Sequence, residues 1–249
     1  KQFDLPREEP QHGDQEFEAL VAEFDDIIWK MIRRCRASRQ ETGEAMSDRQ
    51  VHDEVATIFL AGHETTASAV SWTFFLLSSH PEPDRQVRKE VQQVLAGRPP
   101  RVQDLPRLQY TSRVIEEALR LYPSAWLMLR HTVEDDEILG CRIPAGTDVI
   151  ISPFVVHRHP AFWTDPETFD PERFREEDRS SQHRFAYIPF GGGPRVCIGR
   201  NFALMEVQLV VASVVQRFRM APVPNHPIRP KARFILQSES GIPVTLVKA

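Results

Sequence analysis

FGGGPRVCIG, residues 190–199, is the stretch of this chain that says most about its fold and chemistry. It places Cys197 in a glycine-rich loop shortly after Arg195, and a helix is predicted to begin just beyond it. A nearby cation and a helix N-terminus both favour the thiolate form of cysteine, which is the form that binds metals. Consecutive glycines allow tight turns whose amide N–H groups can point at the sulfur. The loop therefore has the features that a cysteine bound to a haem iron needs.

The same loop resembles the haem-binding signature of the cytochrome P-450 family, the haem-thiolate monooxygenases. The resemblance holds at every fixed position of the signature, namely Phe190, Gly193, Arg195, Cys197 and Gly199. The alternative is an incidental cysteine in a chance pattern, because a lone cysteine usually behaves as a small hydrophobic residue. The resemblance implies that Cys197 is the axial ligand of haem b (iron protoporphyrin IX), with Phe190, Arg195 and Gly199 around the cofactor.

Composition limits the size and the partners of the protein. The chain has 249 residues, 41% of them hydrophobic, which is enough for one sizeable core or at most two small domains. A formal net charge of −4 argues against nucleic acid as the main partner, since phosphate binding needs a strongly basic face. Three cysteines far apart in the sequence cannot form a disulfide framework and favour a reducing, cytoplasmic environment. Cys35 and Cys141 are expected to be inert.

The resemblance also predicts the extent of the domain. It covers about residues 45–249 and implies a mainly α protein with small β-sheets, a cytochrome P-450-like fold that lacks its N-terminal half. Residues 1–16 are polar, contain prolines and are predicted to form a tail or linker. Residues 17–249 are then the C-terminal portion of the catalytic domain. A membrane anchor in the absent half stays open on this interpretation.

Hydrophobic periodicity and capping signals predict five main helices and several short strands. The long helix is expected to open with a capping box over residues 47–50 and to stop before Pro81. The other helices are predicted over residues 17–39, 82–95, 109–121 and 198–218. Strands are predicted over residues 126–132, 137–141 and 147–153, and residues 232–236 are expected to form a hairpin with residues 243–247.

AGHETT, residues 61–66, lies midway along the long predicted helix, between two apolar stretches. Glycine costs about 1 kcal/mol inside a helix relative to alanine. Threonine hydroxyls compete there for backbone carbonyls, so a local distortion is expected. A carboxylate beside a hydroxyl in apolar surroundings suits a short proton relay. Charged groups near its centre argue against a membrane span, and a core helix with one tolerated polar patch stays the alternative.

This stretch is similar to the oxygen-binding motif of the same family. The resemblance implies that Glu64 and Thr65 are the catalytic acid and alcohol that deliver protons to bound dioxygen. It further implies that Ala61 and Gly62 leave room above the haem.

Three further residues are expected to have a structural role. Glu117 and Arg120 share one helix face, although such pairs are usually surface salt bridges worth well under about 1 kcal/mol. The family resemblance implies that they form a structural triad with Arg173, which holds the segment leading to the cysteine loop. Arg130 is equally compatible with pairing to a haem propionate and with an ordinary exposed strand position. The histidines of His157-Arg-His159 are interpreted as surface residues rather than metal ligands.

The implied function is a haem-thiolate monooxygenase that inserts one oxygen atom from O2 into a small apolar organic substrate. No flavin or nicotinamide fingerprint occurs in the sequence, so the electrons must come from a separate redox partner, a ferredoxin or a flavoprotein reductase. Arg113, Arg195 and Arg200 are a hypothetical docking patch for that partner. The expected substrate-pocket walls are residues 58–59, 124–128 and 238–242.

Two alternatives to this function stay open. A truncated, non-catalytic haem-binding or scaffolding fragment would keep the motifs without the missing half. A haem-thiolate isomerase or dehydratase needs no dioxygen and is disfavoured by the intact Glu64-Thr65 pair.

Overall fold

The computed structural model describes residues 12–37, 46–179 and 182–248, and these residues divide into two compact units at position 61 within one long helix. Seven α-helices occur among them: α1 His12–Ala37, α2 Asp48–Ser79, α3 Pro81–Leu95, α4 Gln109–Leu121, α5 Pro153–Val156, α6 Glu176–Arg179 and α7 Arg200–Val215. Short 3-10 helices lie at Val102–Arg107, Pro171–Phe174 and Gly193–Arg195. The predicted main helices are thus present, with α1 beginning before the expected residue 17. Most of the expected tail, residues 1–11, lies outside the described residues.

The capping box predicted at the start of α2 is formed as expected. The Gln50 N–H donates to Ser47 Oγ at 3.3 Å, and the Ser47 N–H donates to the Gln50 side-chain oxygen at 2.9 Å. These reciprocal bonds satisfy backbone donors that have no partner inside the helix. The boundary of α2 therefore follows from its own sequence.

The described strands form four antiparallel pairs rather than one sheet. Their bounds are β1 Met128–His131, β2 Asp136–Ile138, β3 Cys141–Ile143, β4 Asp148–Ile151, β5 Phe218–Pro222, β6 Pro230–Ala232, β7 Leu236–Ser238 and β8 Val244–Lys248. β1 pairs with β4, β2 with β3, β5 with β8 and β6 with β7. The described fold is accordingly mainly helical with small two-stranded sheets.

Two strand predictions were wrong. Residues 137–141 are not one strand, because Leu139 and Gly140 have φ of 52° and 79° and turn the chain between β2 and β3. Two successive residues with positive φ form the tight turn that matches the twist of a hairpin. Residues 232–236 do not pair with residues 243–247 either. Ala232 instead faces Leu236 across a tight turn, and β8 pairs with the distant β5.

The core of the second unit, residues 62–249, lies among its helices. α4 packs against α3 and α7, and the C-terminal half of α2 contributes Ala69, Leu76 and Leu77 to the same buried cluster. α4 is the most buried element, with a continuous run of buried residues from Val114 to Leu121. This central position explains why polar groups on α4 need partners from other elements.

Candidate functional site

The cysteine loop turns back on itself just before α7. The Cys197 N–H donates to the Phe190 carbonyl at 2.9 Å, which closes the loop, and Val196 N–H donates to Gly193 O at 3.1 Å. Gly191 has a φ of 74°, and a Cβ at that position would lie 3.3 Å from Met128 Sδ. The positive φ therefore favours glycine there, and a Cβ would also press on the Met128 side chain. α7 begins at Arg200, so Cys197 is presented directly before a helix N-terminus.

Cys197 is a free cysteine whose side chain is exposed. Its neighbours Val196, Ile198 and Phe202 are exposed as well, although large apolar side chains near one another are usually covered. Arg195 is exposed in the same loop. A sulfur donor with apolar and cationic neighbours matches the needs of a haem, which has a flat apolar macrocycle and two carboxylates. The residues present therefore fit the group that the sequence predicted, and the Cys197 sulfur would be their ligand to its iron.

β1 runs beside this loop, as the closeness of Gly191 to Met128 shows. Arg130 shares a face of β1 with Met128, because side chains two apart on a strand point the same way. The Arg130 side chain is exposed, and its Nη1 donates to the Leu129 carbonyl at 2.8 Å. Its predicted propionate contact is thus compatible with its place on the strand but stays a prediction.

The predicted proton-relay residues lie on α2. Gly62 and Glu64 are exposed, and Thr65 is half-buried. The Ser124 hydroxyl donates to the Thr65 carbonyl at 2.8 Å, which ties this part of α2 to the segment that leads into β1. Ala61 ends the first unit, and its side chain is exposed on the same helix.

The expected local distortion does not interrupt α2, which is continuous from Asp48 to Ser79. Seven α2 residues from Thr66 onward are buried, and such packing outweighs the weak intrinsic helix propensity of single glycine or threonine residues. Thr57 and Thr73 donate to carbonyls four residues earlier, and neither interrupts the helix.

The three predicted structural residues meet in the interior. Arg120 Nε and Nη2 donate to the two Glu117 carboxylate oxygens at 2.6 and 2.7 Å, and both side chains are fully buried. Arg173 Nε lies 3.6 Å from Glu117 Oε1. The same carboxylate accepts the Asp170 N–H at 2.9 Å. Burial raises the pKa of Glu117, and the hydrogen bonds and charge of Arg120 oppose that rise.

Arg120 also binds the irregular segment that leads toward the cysteine loop. Its remaining N–H groups donate to the carbonyls of His157, Pro166 and Thr168 at 2.9, 2.6 and 3.0 Å. The guanidinium lies over the Trp163 ring, 5.0 Å from its centroid. One buried cation thus fixes a long loop that has little regular structure of its own.

His157 was wrongly interpreted as a surface residue. It is fully buried, its Nδ1 lies 3.2 Å from the Arg120 carbonyl, and its Nε2 lies 2.8 Å from the Ile188 nitrogen. Burial lowers the pKa of His157 to about 3, and the nearby charges of Arg120 and Arg158 act in the same direction. The interpretation rested on the lack of a Cys or carboxylate constellation around the two histidines, which argues against a metal site but does not test burial. The only contrary sign was the apolar run Phe154-Val-Val before it.

One member of the hypothetical docking patch, Arg113, forms an ion pair within the chain. Arg113 Nη1 donates to Glu172 Oε2 at 2.6 Å, and the side chain is only 23% exposed. This arginine therefore pairs with a carboxylate of its own chain. Arg195 and Arg200 are exposed.

The described residues contain neither a cluster of His, Cys, Asp and Glu side chains that could hold a metal ion nor a helix that could cross a membrane. Within residues 12–37, 46–179 and 182–248, no group of three or more His, Cys, Asp or Glu side chains could hold a metal ion. In the same ranges, no helix has the length and apolar character needed to cross a membrane. The side chain of Cys35 lies outside what the structure describes, and Cys141 is exposed.

Comparison with known proteins decides the family. The model of the family "Cytochrome P-450" matches residues 16–246. The chain belongs to the cytochrome P-450 family. This cytochrome P-450 is 43% identical to cyclooctatin synthase of Streptomyces melanosporofaciens over 243 residues, 91% of the chain and 53% of the relative. It is 40% identical to pentalenene oxygenase of Streptomyces avermitilis over 208 residues, 84% of the chain and 45% of the relative. The chain thus spans about half the length of these curated relatives.

Solved structures support the same assignment. The crystal structure of the cytochrome P450DA heme domain matches with a TM-score of 0.86 and 31% identity, over 94% of this chain and 56% of that one. A triple mutant of that heme domain matches with a TM-score of 0.88 and 30% identity, over 100% of this chain and 57% of that one. The predicted family and fold class are therefore confirmed, with the cytochrome P-450 fold matched over about half of those chains.

Proposed function

We propose that this cytochrome P-450 is a haem-thiolate monooxygenase that inserts one oxygen atom from O2 into a small apolar organic molecule. The observation that carries the proposal is Cys197, a free and exposed cysteine held by a closed glycine-rich loop directly before α7. Membership of the cytochrome P-450 family supports this chemistry. The names of two similar proteins, pentalenene oxygenase and cyclooctat-9-en-7-ol 5-monooxygenase, agree with an oxygenase.

In this proposal the loop residues hold haem b. Cys197 would supply the thiolate ligand, and Arg195 and Arg130 would be the cations for the two propionates. Phe190 and Gly199 would flank the cofactor, since they lie on either side of Cys197 along the chain. Bound haem supplies the redox chemistry that activates dioxygen, with a thiolate ligand favouring O–O cleavage. The hydrogen bond from the Cys197 N–H to the Phe190 carbonyl fixes the backbone that presents the sulfur.

The residues of α2 handle protons in the same proposal. The Thr65 hydroxyl holds and passes a proton, and the exposed Glu64 carboxyl exchanges protons with solvent. Gly62 has no Cβ, and open space surrounds the position where one would lie, so the helix offers room for a small ligand there. Ala61, which has only a methyl side chain, is proposed to leave room for the ligand in the same way.

The proposal extends to the source of the electrons and to the cellular location of the protein. A ferredoxin or a flavoprotein reductase supplies the electrons, and no nucleic-acid partner is expected for a chain with a net charge of −4. The cytoplasmic environment expected from the separated cysteines stays a prediction.

A second candidate is a non-catalytic haem-binding or scaffolding protein. Haem binding without product formation would distinguish it from the monooxygenase.

The deciding experiment compares two exposed cysteines. The purified chain is supplied with haem and reduced, and the carbon-monoxide difference spectrum is recorded for the wild type, Cys197→Ser and Cys141→Ser. We expect the thiolate-type band in the wild type and in Cys141→Ser, because Cys141 lies on β3 and has no part in the loop. Cys197→Ser should lack the band.

The outcomes separate the candidates. An unchanged band in Cys197→Ser would refute the haem-thiolate assignment. A normal band with no product from any apolar substrate, in the presence of a redox partner and O2, would favour the non-catalytic candidate.

A further inference from the structure

Three side chains hold residues 186–188, the segment directly before the cysteine loop. Trp163 Nε1 donates to the carbonyl of residue 186 at 3.3 Å, and the Tyr187 hydroxyl donates to the Glu116 carbonyl at 2.9 Å. The third contact joins the Ile188 N–H to His157 Nε2 at 2.8 Å. This last bond lies closest along the chain to Phe190, where the loop begins.

The direction of the His157 contacts fixes the state of the ring. A backbone N–H can only donate, so Nε2 must accept from Ile188 and cannot carry a proton. The proton of the neutral ring is then on Nδ1 and is donated to the Arg120 carbonyl, 3.2 Å away. The ring is fully buried and stacks at a tilt on Tyr187, with centroids 5.3 Å apart. His157 thus joins the end of α4 to the irregular segment before the loop.

Hydrogen bonds continue from Ile188 to the cysteine. The Ile188 carbonyl accepts the Gly191 N–H at 3.0 Å, and the Phe190 carbonyl accepts the Cys197 N–H at 2.9 Å. The ring of His157 is therefore connected to the backbone of Cys197 through a short run of fixed peptide groups. Gly191 has little room to adjust, because Met128 lies against it.

We propose that His157 is a positioning residue for the haem ligand: its Nε2 fixes the Ile188 peptide and thereby orients the Phe190 carbonyl that holds Cys197. This inference rests on the proposed function, because it assigns His157 a role in presenting the thiolate. Loss of the acceptor leaves a half-buried N–H unsatisfied, and the segment must shift to find another partner. The Cys197 sulfur would then be displaced from the position in which it binds the haem iron, although no residue of the loop itself has been substituted.

The test separates the two ring nitrogens. His157→Gln places an acceptor oxygen near the Nε2 position, His157→Asn places a donor near the Nδ1 position, and His157→Phe keeps an aromatic ring with neither. Each holoprotein is reduced under carbon monoxide, and the ratio of thiolate-type to thiol-type complex is measured. We expect His157→Gln to keep the wild-type ratio, and His157→Asn and His157→Phe to lower it roughly tenfold.

The control is a buried polar group whose hydrogen bonds involve neither the loop nor residues 186–188. Asp104 is 7% exposed and accepts two hydrogen bonds from Arg98, so Asp104→Asn should lower the stability without changing the ratio. A role of His157 in stability alone predicts the same behaviour for all three His157 variants as for Asp104→Asn.

Two results would overturn the inference. One is a wild-type ratio in His157→Phe. The other, which holds even where the Phe variant does not fold, is an equal ratio in His157→Gln and His157→Asn. Absence of the thiolate-type band in the wild type would instead refute the proposed function on which the inference rests.

Discussion

Arg120 uses each of its five N–H donors inside the protein. Two donate to Glu117 and the other three to the carbonyls of His157, Pro166 and Thr168. A guanidinium is the only side chain with so many donors in one rigid plane. The i,i+3 spacing predicted the contact with Glu117, but not the three carbonyls.

Arg120→Lys should therefore be strongly destabilising. An ammonium group has three donors, so it leaves buried acceptors unsatisfied, and we expect the free energy of unfolding to fall by about 2–5 kcal/mol. Urea unfolding followed by circular dichroism measures the change. Arg142→Lys is the control, because Arg142 is 77% exposed and pairs with the exposed Asp135. Similar unfolding midpoints for the two variants would contradict this account of Arg120.

Thr65→Ala tests the proposed proton relay. Without the hydroxyl, protons reach bound oxygen less selectively, so we expect the product formed per electron consumed to fall on the order of tenfold. The measurement compares electron and O2 consumption with product in the presence of a redox partner. Thr57→Ala is the matched control, since Thr57 lies on the same helix and its exposed hydroxyl donates to the Asp53 carbonyl. Unchanged coupling in Thr65→Ala would remove Thr65 from the relay.

At the scale of elements, α4 obtains its N-terminal cap from another helix. Its own N-cap residue, Leu108, forms no side-chain cap. The Glu90 carboxylate on α3 instead accepts the N–H groups of Tyr110 and Thr111 at 2.7 and 2.8 Å, and the Thr111 hydroxyl at 2.7 Å. A carboxylate at a helix N-terminus is favoured by both the free N–H groups and the helix dipole.

Glu90→Ala should loosen the first turn of α4. Two backbone donors lose their partner, so we expect the free energy of unfolding to fall by about 1–3 kcal/mol. Hydrogen exchange at the Tyr110 and Thr111 amides should become faster. Lys89→Ala is the control, because Lys89 is the exposed neighbour on the same helix. Equal exchange rates in both variants would show that α4 does not depend on this cap.

At the scale of the whole molecule, His157 links stability to pH. Its pKa is lowered to about 3 in the folded state, first by burial and then by the charges of Arg120 and Arg158. The unfolded chain, with an ordinary histidine pKa near 6.5, therefore binds more protons between these values. Stability must fall as the pH drops through this interval, by up to about 1.4 kcal/mol per pH unit from this residue. Above pH 6.5 this histidine is neutral in both the folded and the unfolded state, so it no longer makes the stability depend on pH.

Unfolding curves of the wild type and His157→Gln at several pH values test this linkage. A glutamine does not titrate, so the difference in stability between the two proteins should shrink as the pH falls from 6.5 toward 4. The carboxylates titrate in both proteins and cancel in the difference. Parallel pH curves would contradict a neutral, buried His157.

The family, the main helices and the cysteine loop could all be predicted from the order of amino acids alone. These features depend on neighbouring residues: α4 spans Gln109–Leu121 as its periodicity predicted, and the signature around Cys197 is local. Only the tertiary structure decided the pairing of β5 with β8, the cap that Glu90 provides and the burial of His157. Each of these joins residues that are distant along the chain, and their hydrogen bonds form because packing removes both partners from water. No local pattern contains that information.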